Sequence, residues 1–87
     1  MKTEEMKYII AENEYGLEFP ILFSPDIQHD QIFSGKKVSA GYCCLRIAEG
    51  NEYISYDCYG ESISLQMKSR KEIDEEILNK NFLKKEY

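Results

Sequence analysis

The stretch from Val38 to Lys68 constrains this chain more than any other. Glu49-Gly50-Asn51-Glu52 and Gly60-Glu61 are turn signals, and they divide the stretch into runs rich in aromatic, β-branched and thiol side chains. That pattern predicts a three-stranded antiparallel meander. With both loops tight, Cys43, Leu45 and Ile47 stand opposite Cys58, Tyr56 and Ile54, which in turn stand opposite Ile63, Leu65 and Met67. All of these share one face, because side chains alternate along a strand and register fixes which set points inward. The other face then carries Tyr42, Cys44, Arg46, Tyr53, Ser55, Asp57 and Tyr59, followed by Ser62, Ser64, Gln66 and Lys68.

The flanks read as one hairpin and two helices. Met6–Ala11 is a first strand, Asn13-Glu14-Tyr15-Gly16 a turn, and Leu17–Phe23 a second strand. Pro20 cannot donate to a ladder and places that second strand at an edge or an irregularity. Ser24-Pro25 starts a short middle helix running to about Ile32 or Phe33, which Gly35 ends. Gly41 marks a bulge or a close backbone approach. Ser69-Arg70-Lys71-Glu72 is a capping box opening a C-terminal helix, with acidic residues in its first turns and Lys80, Lys84 and Lys85 towards its end. Ile73, Ile77 and Leu78 form the stripe that covers the apolar sheet face, with Phe82 and Leu83 docking beyond. The expected class is α+β: an antiparallel sheet of N-terminal hairpin plus meander, with the middle and C-terminal helices packed on one face. Whether the hairpin joins the Val38 strand edge-on or folds over it stays open.

At 87 residues the chain is a single domain, and 43% hydrophobic and 13% aromatic residues suffice for a core. The formal net charge of -5 argues against nucleic acid and anionic membranes as partners. No apolar run follows Met1-Lys2-Thr3-Glu4-Glu5 or reaches the length of a membrane span, so a cytoplasmic protein without a signal peptide is expected. Its three cysteines are then expected to be reduced, although Cys43 and Cys58, as expected cross-strand neighbours, could in principle bridge.

Catalytic signatures are missing: no phosphate loop, nucleophile elbow, zinc-protease helix or paired C-x-x-C. No cofactor and no enzyme activity are expected. Asp26, His29 and Asp30 share one face of the middle helix, either as metal ligands or as a solvated face. Cys44 with His29 has the residue types of a nucleophile and base and nothing more. The tyrosine face is richer, since tyrosine and arginine are the residues of interface hot spots. Tyr42, Arg46, Tyr53, Asp57 and Tyr59 are the candidate binding residues, with Arg46 and Asp57 expected to pair diagonally. The same face can alternatively be a half-exposed sheet surface, or one covered by the hairpin. Glu61–Leu65 is the expected sheet edge, through which a second copy could pair into a homodimer.

The runs V-S-A-G-Y-C (Val38 to Cys43), C-Y-G-E-S-I-S-L (Cys58 to Leu65) and S-R-K-E-I-D (Ser69 to Asp74) resemble a group of small uncharacterised proteins of bacteria and their phages, and His29 fits that pattern. The resemblance spans roughly the C-terminal two thirds of the chain and carries no known activity or catalytic residue. It implies the context of phage or mobile-element accessory products, which often act by binding host machinery. The function expected is therefore that of a non-enzymatic binding protein with a protein partner, an inhibitor or modulator of a host or defence protein. The alternative is an oligomeric binder of a nucleotide-like small ligand.

Overall fold

The computed structural model describes residues 5–47 and 54–82. The turn at 49–52, Tyr53, Leu83, Lys84 and Lys85 lie outside them. Strand β1 (Glu5–Glu12) and strand β2 (Glu18–Phe23) form the expected hairpin, in register from Lys7 opposite Phe23 to Glu12 opposite Glu18. Its turn is tightly tied. Asn13 Oδ1 accepts the backbone N–H of Tyr15 and Leu17 at 2.8 and 3.0 Å, and Gly16 takes φ +82°, which suits a residue without Cβ.

The hairpin joins edge-on. β1 pairs antiparallel with strand β3 (Lys36–Ile47), and β3 with strand β4 (Ile54–Tyr59), giving the sheet order β2-β1-β3-β4. Cys43 opposes Cys58, Leu45 opposes Tyr56 and Ile47 opposes Ile54, as the first turn implies. The register between β1 and β3 slips between Ile10 and Ala11, opposite Ser39 and Lys37, so the irregularity lies at Val38 and not at Gly41. Gly41 is a close approach: a Cβ there would lie 2.7 Å from the Tyr59 carbonyl oxygen and 3.0 Å from Ser69 Oγ.

The third meander strand does not form. Gly60, at φ +79°, turns the chain away, and residues 61–68 fold into a separate two-stranded ribbon of β5 (Glu61–Ser62) and β6 (Met67–Lys68). Ile63 is 83% exposed, while Leu65 and Met67 pack on the sheet face opposite to the expected one. The place beside β4 is held instead by helix α1 (Lys71–Phe82). Tyr56 N–H donates to Asn79 Oδ1 and Cys58 N–H to Glu75 Oε2, both at 2.8 Å, and Lys71 Nζ donates to the Cys58 carbonyl at 3.2 Å. Four residues of helix advance about 6.0 Å and two residues of strand about 6.7 Å, so side chains at 71, 75 and 79 keep step with alternate groups of a strand edge.

The middle helix shrinks to one 3-10 turn, His29–Gln31. Ser24 closes an isolated turn, its Oγ accepting Asp26 N–H at 3.2 Å, and Gln28 is extended at ψ 145°. The expected capping box is also redistributed. Ser69 Oγ bonds the Tyr8 hydroxyl, and Asp74, not Glu72, reaches back to the Arg70 N–H at 2.9 Å.

Both sheet faces are packed. On the α1 side, Tyr8, Ile10, Cys43, Cys58 and Leu78 are fully buried, with Leu22, Val38, Tyr56 and Ile77 around them. On the other side Ile9, Ala11, Phe23 and Ala40 are covered by Ile32 and Phe33 from the middle segment and by Leu65 and Met67 from the ribbon. Ile73 does not join the core and is 52% exposed. Asp74 is 0% exposed in its stead.

Candidate functional site

Among the described residues, the second face is covered over only part of its area. Alternation along β1 and β3 puts Glu5, Lys7, Tyr42, Cys44 and Arg46 on that face, and β4 adds Ser55, Asp57 and Tyr59. Tyr42 and Tyr59 are opposed in register and their rings stack, with centroids 6.1 Å apart and planes 19° from parallel. A row of aromatic contacts leads into this pair from the core: Phe23 meets His29 edge-on at 5.4 Å, and His29 meets Tyr42 edge-on at 5.9 Å. Edge-to-face and offset arrangements are those favoured by ring quadrupoles.

Tyr59 is oriented further by its hydroxyl, which donates to the Glu5 carboxylate and receives the Cys44 thiol at 3.5 Å. Burial, with the bonds to Cys44 and Glu5, raises the Tyr59 hydroxyl above the ordinary phenol range and keeps it a donor. On the other side of Tyr42, Lys7 Nζ stands 5.9 Å from the ring centroid and donates to the Ile27 carbonyl at 2.9 Å. Tyr42 is thus flanked by a cross-strand neighbour on either side.

Arg46 is exposed, and its expected pairing with Asp57 is not made. Asp57 instead binds Lys71 at 2.7 Å, and Lys71 also binds Glu75 at 2.8 Å. The hydrogen bond from Lys71 holds the Asp57 carboxyl below its usual range. The physical reason is reach: α1 lies along β4 and brings an ammonium to the sheet edge, whereas Arg46 is paired in register with Ser55. The structure therefore gathers Tyr42, Arg46, Asp57 and Tyr59 on one surface, while Tyr53 lies outside the described residues.

His29 was expected on an exposed helix face with Asp26 and Asp30. It is 3% exposed, and both aspartates are exposed. Its Nε2–H donates to the Gly41 carbonyl at 2.9 Å, which leaves Nδ1 as the acceptor of a neutral ring. Desolvation lowers its pKa, with the Lys7 ammonium acting in the same direction. Cys44 bonds Tyr59, and His29 bonds Gly41, so neither is the other's partner. Among the described residues no group of three or more His, Cys, Asp or Glu is placed to hold a metal ion, and no helix is long and apolar enough to cross a membrane.

Beside His29 a cleft of about 300 Å³ opens between the sheet and the ribbon, lined by Lys7, His29, Tyr42, Glu61 and Ile63, with Gln28 and Ser64 at its sides. The contributions of Lys7, Glu5 and His29 to this surface escape a reading of the sequence. Glu5 and Lys7 do alternate with Tyr8 and Ile10, but they meet Tyr42 and Tyr59 only once β1 is known to pair with β3.

Comparison with protein-family models, with curated proteins and with solved structures finds no match for this chain.

Proposed function

We propose that this chain is a non-enzymatic binding protein that docks a protein partner on the surface of Tyr42, Arg46, Asp57 and Tyr59. The observation that carries the reading is the stacked Tyr42–Tyr59 pair, half-buried and in contact with Glu5, Cys44 and His29, beside an exposed Arg46. Rigid aromatic rings next to an arginine are what a partner can bury at low entropic cost. The rest of that sheet face is sealed by Ile32, Phe33, Leu65 and Met67, so the open part is not simply uncovered core. The motif resemblance to small phage and bacterial proteins supports the narrower reading of an inhibitor or modulator of a host or defence protein.

A nucleotide-like ligand finds less support, because stacking a base on Tyr42 requires displacing Tyr59 or Lys7. The test is affinity capture from bacterial lysate with the wild type, Arg46→Ala and Tyr59→Ala in parallel. A specific partner retained by the wild type and lost by both variants, at unchanged thermal unfolding of Arg46→Ala, is the expected result. Equal retention by all three removes this surface from the account.

A further inference from the structure

Cys43 and Cys58 stand directly opposite each other on β3 and β4, on the sheet face away from the tyrosines. They share a core cluster with Tyr8, Ile10 and Leu78, both are fully buried, and both are free thiols. The ladder fixes how close they come. Cys58 N–H donates to Glu75 Oε2 at 2.8 Å and its carbonyl accepts Lys71 Nζ at 3.2 Å, so both backbone groups of Cys58 point away from β3. Tyr56 N–H, two residues earlier, likewise turns outward to Asn79. Cys43 and Cys58 are therefore a non-hydrogen-bonded pair, the type whose Cα atoms approach to about 4.5 Å and whose side chains come closest. Disulfides span Cα separations of about 4.4–6.8 Å, so a bridge here asks for no movement of either strand.

We propose that Cys43 and Cys58 are a redox-sensitive staple, which a low-molecular-weight disulfide such as oxidised glutathione closes into a cross-strand bridge and a thiol reductant reopens. One cysteine, as its thiolate, attacks the small disulfide, forming a mixed disulfide and expelling one small thiolate. The second cysteine, as its thiolate, attacks the protein sulfur of that mixed disulfide and expels the other. Two protein thiols are thereby oxidised, one small disulfide is reduced to two thiols, and the protons lost by the cysteines go to the departing thiolates. Burial raises both thiols, so neither reacts while α1 is seated over them. Exchange therefore passes through opening of the α1–β4 edge, which Lys71, Glu75 and Asn79 hold closed. Once formed, the bridge ties β3 to β4 at the residue pair next to Tyr42 and Tyr59. The staple does not rest on the docking reading and holds whether or not a partner binds there.

The test uses the full chain carrying Cys44→Ser, in which Cys43 and Cys58 are the two remaining cysteines, incubated with oxidised glutathione in the absence of denaturant. The expected product is a monomer lighter by two hydrogens, in which tryptic peptides 38–46 and 47–68 are joined. Its amide spectrum should stay native, with shifts confined to β3, β4 and α1. Its urea midpoint should lie above that of the reduced protein, because the bridge closes the loop between the two strands in the unfolded chain as well. Dithiothreitol should return both the mass and the midpoint to their starting values. Glutathione adducts or chain-to-chain disulfides in place of the internal bridge, bridging that proceeds only in urea, or a bridged product with a lowered midpoint or a lost native spectrum would each overturn the proposal.

Discussion

Asp74 shows what a single buried carboxylate does in a small domain. It is 0% exposed and receives the Tyr8 hydroxyl at 2.6 Å, the Ser39 hydroxyl at 2.9 Å, the Arg70 N–H at 2.9 Å and Arg70 Nε at 3.0 Å. Arg70 continues to Glu18 at 2.9 Å, so β1, β2, β3 and α1 meet at one charge. Removing the carboxylate orphans several buried donors, and Asp74→Ala is expected to cost about 3–5 kcal/mol in urea unfolding, with Tyr8→Phe nearer 1–2 kcal/mol. A loss under about 1 kcal/mol for Asp74→Ala would show that the network does not hold the helix. Nothing local marks this residue. Asp74 sits in a run with Glu72, Glu75 and Glu76 that reads as dipole-matching charge, and its partners Tyr8 and Ser39 are 66 and 35 residues away. His29 is equally illegible, since its burial depends on Phe23, Gly41 and Tyr42 converging. Its folded-state pKa is lowered from 6.5, so the unfolded chain takes up the proton first. Its contribution to stability is therefore complete above that value and is lost as pH falls below it. Urea midpoints measured from pH 7.5 to 5.5 should fall for the wild type and fall less for His29→Gln. Among the thiols, burial pushes Cys43 up to about 12 and raises Cys58 also, while Cys44 is half-buried on the open face. Alkylation of the native protein at mildly alkaline pH should therefore modify Cys44 well before the other two.

At the scale of elements, the strands paired by local turns are readable and the one replaced by a helix is not. β1 with β2 and β3 with β4 follow from alternation and turn residues, down to Tyr42 opposite Tyr59. Ile63-Ser64-Leu65 alternates just as well, yet it is not a strand, because β4 has a better neighbour. Leu78 and Ile77 close the core only if α1 lies along β4, and Lys71, Glu75 and Asn79 then satisfy the strand edge from side chains. The spacing of those three residues at four-residue intervals is the signal in the sequence, and it becomes meaningful only beside a strand edge. If this capping holds the edge, Asn79→Ala should speed exchange of the Tyr56 amide by roughly tenfold and cost about 1 kcal/mol. Glu75→Ala should do the same at Cys58. Unchanged exchange at both amides would mean that water serves the edge as well as the helix does.

At the scale of the molecule, the sheet ends in two guarded edges and, among the described residues, one surface without a cover. β4 is lined by α1, and β2 carries Pro20 in its middle, opposite Ile10. A proline on an edge strand removes a donor that another strand would need. The sheet edge expected at Glu61–Leu65 is not part of the four-stranded sheet, since those residues leave it after Gly60 and residues 61–62 pair with 67–68. Among the described residues, nothing covers the β3–β4 end of the second face, where the tyrosines expected from alternation stand beside Glu5 and Lys7. The middle segment and the ribbon cover the other end and stop short of Arg46. The most direct measurement is the amide footprint of the labelled chain in complex with the partner recovered by capture. Shifts or broadening centred on Tyr42, Cys44, Arg46, Ser55, Asp57 and Tyr59 are the expected result. A footprint centred on the Tyr15–Leu17 turn, on β2 or on the outer side of α1, with those six amides unmoved, would contradict the assignment of this surface.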